Sequence, residues 1–216
     1  MRTIVAVVAA AGLLLVAPMA LAHQGNPHFR STVSRITPRV AGVTVDVLNY
    51  DDRLLLHNTS GRPVVVEDYE GKPYARILAD RTVQVNTNSP AYYLNDDRYA
   101  NVKVPKGLGA HPHWKLESRT GRFEWHDHRI HWMATSLPPQ VKDEGKRTHI
   151  FDWQVPITVG GRAGAIAGSL TWVPLDSGGS VPMGAIWALA ALLIVLAVAA
   201  FVVRRRRMEP GAAEAW

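Results

Sequence analysis

Along this chain the apolar residues fall into three regimes. Residues 4–16 and residues 181–203 are apolar runs, and between them short stretches mix apolar and polar positions. In "GVTVDVLN" the side chains of Val43, Val45 and Val47 share one face of an extended chain, because residues two apart on a strand point the same way. The same short grain recurs in "RLLLHN", "PVVVEDY", "YARIL", "TVQVN", "AYYLN", "WKLES", "RFEWHDHRIHWM", "THIFDWQVPITV" and "AIAGSLTWVP". Turn formers part these stretches: Asp51-Asp52, then "NTSGR", "EGKP", "SRTG" and "GGRAG". The pattern lapses over residues 96–112, and the opening "HQGNPHFRSTVSRITPRVAG" is polar, is punctuated by Pro27 and Pro38, and precedes the first predicted strand. Short strands at this spacing, with no amphipathic helical stretch among them, predict an all-β fold: an immunoglobulin-like antiparallel β-sandwich over residues 23–175.

The two apolar runs carry different signals. Arg2, the apolar stretch that follows, and Ala20-Leu21-Ala22 form the charged, apolar and small-residue parts of a secretory signal peptide, residues 1–22. Residues 181–203 hold no charge and, at about 1.5 Å rise per residue, span roughly 34 Å as a helix, enough to cross a bilayer. Arg204, Arg205, Arg206 and Arg207 follow at once, which keeps the tail, residues 204–216, cytoplasmic under the positive-inside rule. "DSGGS", residues 176–180, is the link. The expected protein is therefore a single-pass protein of the cell membrane with its β-domain outside.

Composition sharpens this picture. Much of the formal charge of +6 resides in Arg2 and the four tail arginines, so the high pI reflects topology and does not indicate a nucleic-acid partner. The chain has no cysteine, which excludes disulfides and thiol chemistry and leaves stability to packing. No serine sits in a nucleophile-elbow pattern, and no Gly-rich loop precedes a helix. The carboxylate pairs Asp51-Asp52, Glu67-Asp68, Asp96-Asp97 and Asp143-Glu144 fall where turns are expected and read as solvated turn residues. Asn58-Thr59-Ser60 matches a glycosylation acceptor but, beside Gly61, reads as a turn.

Histidine is the exception. Of nine histidines, four form His-x-His pairs, His111 with His113 and His126 with His128. Each pair offers two imidazoles on one strand face, and imidazole is a common ligand of zinc and copper. If Trp114 to Ser118 and Arg122 to His128 are two arms of a hairpin around "SRTG", either two-residue loop sets the pairs on one sheet face, whereas a three-residue loop breaks them up. Burial of Trp114, Leu116, Phe123 and Trp125 together favours the two-residue loops and turns the histidines outward. A solvated histidine row is the competing reading of the same spacing. His131 has the opposite parity and joins the others only if the strand bends or bulges near Arg129; beside Trp132 and Met133 it is expected to be partly buried with a hydrogen bond. His57 and His149 show no partner.

Cleavage after Ala22 would expose His23 as a terminal amine and imidazole, a chelate suited to copper(II). A terminal histidine, a small exported β-domain and the step Asp127-His128 resemble copper-resistance periplasmic β-sandwich proteins, although their Asp-Gly-His motif is absent. Oxidative polysaccharide monooxygenases use such a histidine too, but their second brace histidine is not identifiable. Over nearly its full length, and chiefly in "NTSGRPVVVEDYEGKPYARI" and "GRFEWHDHRIHWM", the chain resembles a family of signal-peptide-bearing, membrane-anchored bacterial β-domain proteins. That resemblance implies a fold and a tether and brings no activity with it. The first expectation is a non-enzymatic extracytoplasmic binding or assembly module with an unidentified protein or ligand partner. The second is a copper or zinc protein using His111, His113, His126 and His128, with His23. The third is a metal-dependent enzyme, for which no general base can be named.

Overall fold

The computed structural model describes residues 25–175 and 183–207, and the chain divides between Pro174 and Leu175. The leader, His23, the link and the tail beyond Arg207 lie outside the described residues. The first unit is built of antiparallel strands: β1 (Phe29–Thr37), β2 (Val43–Leu48), β3 (Arg53–Asn58), β4 (Val64–Glu67), β5 (Pro73–Ile77), β6 (Val83–Asn86), β7 (Trp114–Ser118), β8 (Arg122–His126), β9 (Thr148–Val159) and β10 (Arg162–Trp172). A single helical turn, α1 (Ala91–Leu94), follows β6, and a 3₁₀ turn (His128–Ile130) follows β8. A seven-stranded sheet runs β1-β10-β9-β4-β5-β6-β7, and a three-stranded sheet runs β2-β3-β8.

One core joins the two sheets. Leu54 and Leu56 of the small sheet and Val64, Val66, Val83, Val155, Ile157 and Ile166 of the large one have no exposed surface. Tyr74 of β5 meets Phe123 of β8 edge-on at 5.8 Å. Val43 and Val45 are buried and Val47 is partly so, as their alternation predicts. The β9–β10 hairpin turns at Gly160 and Gly161, with Val159 paired to Arg162. Both glycines have positive φ, 56° and 79°, the conformation a two-residue hairpin loop requires. Asn58, 1% exposed, donates to the Arg62 carbonyl and accepts from the Ser60 amide, so it is a structural turn residue.

Four expectations are corrected. "WKLES" and "RFEWH" are not two arms of one hairpin: β7 pairs with β6, and β8 pairs with β3, with Leu54 opposite Trp125 and Leu56 opposite Phe123. The connection is held by both neighbourhoods, since the Gly121 amide donates to the Arg81 carbonyl while the Gly121 carbonyl accepts from the Asn58 amide. Trp114, Leu116 and Phe151 are also not largely buried. A register shift between Val83 and Gln84 sets Leu116 opposite Gln84, where it is 50% exposed, and Trp114 lies under the Arg76 guanidinium at 4.1 Å. "AYYLN" is a helical turn, which Pro90 favours by fixing φ where no amide donor is needed. Finally, the polar opening contains β1, an edge strand whose inward row, Phe29 and Ser31, is only half apolar.

In the second unit, α2 (Met183–Arg207) contains a 20-residue apolar span, Ile186–Arg205. It is long and apolar enough to cross a membrane and compatible with an anchor.

Phe123, Trp125, Trp153 and Trp172 are buried as expected. Trp125→Ala should cost about 3–5 kcal/mol in urea unfolding, as truncation of a core aromatic does. Leu116→Ala should cost less than about 0.5 kcal/mol, the range of exposed positions. The reverse order would contradict the assignment of β7 and β8 to different sheets.

Candidate metal centre

The site forms where β8 ends. Phe123 and Trp125 point into the core, so Glu124 and His126 point to the outer face of the small sheet. Asp127 then bends the chain. Its Oδ1 accepts from the Arg129 amide at 3.1 Å, a cap that starts the 3₁₀ turn. Its Oδ2 accepts from Trp125 Nε1–H at 2.8 Å. The Arg129 guanidinium completes the fork at 2.8 Å to each oxygen and donates onward to the carbonyls of Glu67 and Asp68. Asp127 is fully buried and satisfied on every side. The bend carries His131 back beside His126, so the outward face of β8 is roofed at this end.

His126, His128 and His131 each bring one ligand nitrogen within 4.8 Å of the others. Ring centroids lie 4.7 Å apart for His126 and His131, 5.1 Å for His126 and His128, and 5.6 Å for His128 and His131. His126 and His131 are buried, and His128 is half-buried against Tyr69, whose ring stacks on it at 5.7 Å. The Tyr69 hydroxyl accepts from the His128 amide and donates to Asn95 Oδ1, fixing this third ring's backbone.

Proton positions follow from the acceptors. A backbone carbonyl cannot donate, so His131 Nδ1 carries the hydrogen it gives to the Trp132 carbonyl at 3.1 Å. His128 Nε2 likewise donates to the Asp97 carbonyl at 2.9 Å. His126 Nδ1 donates to Asp52 Oδ1 at 3.0 Å. Each ring thus spends one nitrogen on an outer acceptor and keeps the other as a lone pair. For His126 and His131 those lone-pair nitrogens are the two Nε2 atoms, which face each other at 2.9 Å. Two neutral rings would repel there, and a proton or a metal cation between them supplies the missing positive charge.

The surroundings bear on that choice. Burial, then the charge of Arg98, then His126, push His131 down to about 3. Burial also lowers His128, against the Asp97 carbonyl contact that opposes it. Burial works against the charge of Asp52, but the hydrogen bond and charge of His126, with Arg98 and Arg53, outweigh it and hold this carboxyl below its usual range. Its Oδ2 has no hydrogen-bond partner, and Arg53 Nε stands 3.5 Å away. Asp51, fully buried, is pushed up by desolvation, which the paired Arg98 opposes. A tetrahedral zinc with bonds of about 2.0–2.1 Å sets its ligand nitrogens about 3.3 Å apart, so the His126–His131 contact need open only slightly.

Of the residues singled out in the sequence, His126 and His128 meet here. His111 and His113 do not join them, because they lead into β7 on the other sheet. His111 is exposed, its carbonyl bonded to Asn88, and His113 pairs through Nδ1 with Thr87 Oγ1 at 2.7 Å. His23 lies outside the described residues. The sequence reading took Asp51, Asp52 and Asp68 for solvated turn residues, whereas all three are buried and hydrogen-bonded; it missed Arg98 and gave His131 only a condition, a bend near Arg129, which the 3₁₀ turn fulfils. The signal for that turn was Asp127 itself, a capping residue after an apolar strand end. Comparison of the chain with protein families, with curated proteins and with solved structures returned no match.

Asp127→Ala should destabilise by about 3–5 kcal/mol, because it leaves the Arg129 charge and the Trp125 indole N–H without partners. A cost under about 1 kcal/mol in chemical unfolding would show that Asp127 does not hold the bend.

Proposed function

We propose that this protein is a membrane-tethered, extracytoplasmic metal-binding domain that holds zinc or copper through His126, His128 and His131. The observation that carries the reading is the cluster itself: three rings, each oriented by a separate outer acceptor, bring one ring nitrogen each within 4.8 Å of the others. Outer hydrogen bonds of this kind fix tautomer and ring direction in metal sites. Three neutral protein ligands leave a fourth position for water or an outside ligand. The role is binding: the module captures or presents an ion and, through it, an extracytoplasmic partner. We read the antiparallel two-sheet domain as an immunoglobulin-like sandwich, supported by the core its sheets share. The outward placement rests on the leader pattern and on the arginines after the apolar helix. The resemblance to membrane-anchored bacterial β-domain proteins agrees with this arrangement.

Calorimetry on the full-length protein in detergent, prepared without a polyhistidine tag, should show one zinc(II) or copper(II) per chain. His128→Ala and His131→Ala should abolish that binding and the rise in melting temperature it brings, since a ligand of the native state stabilises by mass action. His113→Ala and His57→Ala should retain both. Binding no tighter than about 100 μM for either ion, some 5.5 kcal/mol, would remove the metal reading.

A further inference from the structure

The stretch after α1 grips the histidine group at two points. The Asp97 carbonyl holds His128 Nε2–H, and the next residue, Arg98, donates from Nη2 to Asp51 Oδ2 at 2.7 Å and from Nη1 to Asp52 Oδ1 at 3.3 Å. That same Asp52 oxygen accepts from His126 Nδ1. A guanidinium and a ligand imidazole therefore donate to one carboxylate oxygen. The Arg98 side chain is only 19% exposed, so water screens its charge weakly.

Two consequences act in the same direction. The positive charge of Arg98 repels any cation placed among the three rings, and a divalent ion meets twice the repulsion of a proton. Arg98 also draws on the Asp52 carboxylate, whose negative charge would otherwise make His126 a stronger ligand.

We propose that Arg98 sets the affinity of the metal site: a fixed, partly buried positive charge that opposes the ion and keeps it exchangeable. The proposal rests on the reading that His126, His128 and His131 bind a metal. Coupling of this kind is reciprocal. A bound ion pushes Arg98 away from Asp52, and with it the segment whose Tyr99 and Asn101 amides are tied to Asp97 Oδ1. Loading of the ion and loosening of the Arg98 clasp are then one event.

The test is Arg98→Gln in the full-length protein, with zinc(II) as the probe and affinity measured by competition with a chelator. Glutamine removes the charge and can still donate to Asp51. Zinc affinity should rise at least about tenfold, a factor that a unit and a double charge exceed even about 10 Å apart at an effective dielectric near 20. The metal-free melting temperature should fall, because two buried carboxylates lose their cation. Tighter binding by a less stable protein cannot arise from general damage. Arg98→Lys, which keeps the charge, should stay within about threefold of the parent. An unchanged or weaker affinity in folded Arg98→Gln, with the parent binding zinc, overturns this proposal and leaves the metal site standing. No binding by either protein removes both. If Arg98→Gln does not fold, nuclear magnetic resonance of the parent's Arg98 guanidinium decides: zinc should speed its proton exchange with water, and unchanged or slowed exchange overturns the proposal.

Discussion

Asp127 has no exposed surface, and both of its oxygens are engaged by groups from different layers of the molecule. The indole of Trp125 reaches it from the core, the Arg129 amide from the turn it caps, and the Arg129 guanidinium from a path that continues to the carbonyls of Glu67 and Asp68. A buried carboxylate is tolerable only when its charge and lone pairs are matched in this way. The match fixes a direction as well as a charge. Without the bend at Asp127, an extended continuation of β8 would send His131 to the face opposite His126, and no cluster of three could form.

The site is a second buried charge network built beside the first. Asp52, joined to Arg98 and through it to Asp51, holds His126, and the Trp132 and Asp97 carbonyls hold His131 and His128. Each acceptor takes one ring hydrogen, and the opposite nitrogens of His126 and His131 face each other. Low exposure makes every charge in this neighbourhood act strongly on its neighbours: His126, with Arg98 and Arg53, holds Asp52 below its usual range, while burial, then Arg98 and His126, pushes His131 down. A solvated histidine row would show neither effect, because water would screen the charges and satisfy the nitrogens.

What the sequence by itself determined is local. Alternation and strand grain named most strands and assigned Phe123 and Trp125 to the core face, and "GGRAG" marked the β9–β10 turn, which the structure narrows to Gly160 and Gly161. An uncharged run long enough for a bilayer marked α2. These signals survive in sequence because side-chain period and turn chemistry act over a few residues. Tertiary structure decided the rest. Whether β8 pairs with β7 or with β3 is a choice between open edges of similar chemistry, settled by the fit of Phe123 and Trp125 against Leu56 and Leu54 and by bonds from Asn58 and Arg81 to Gly121. That choice separated His111 and His113 from His126 and His128. Parity arguments hold only while the chain stays extended, so they lost His131 at the 3₁₀ turn. Asp52 and Arg98 reach the site from distant segments, and a charge gives no sign in sequence of which remote partner it will be buried against.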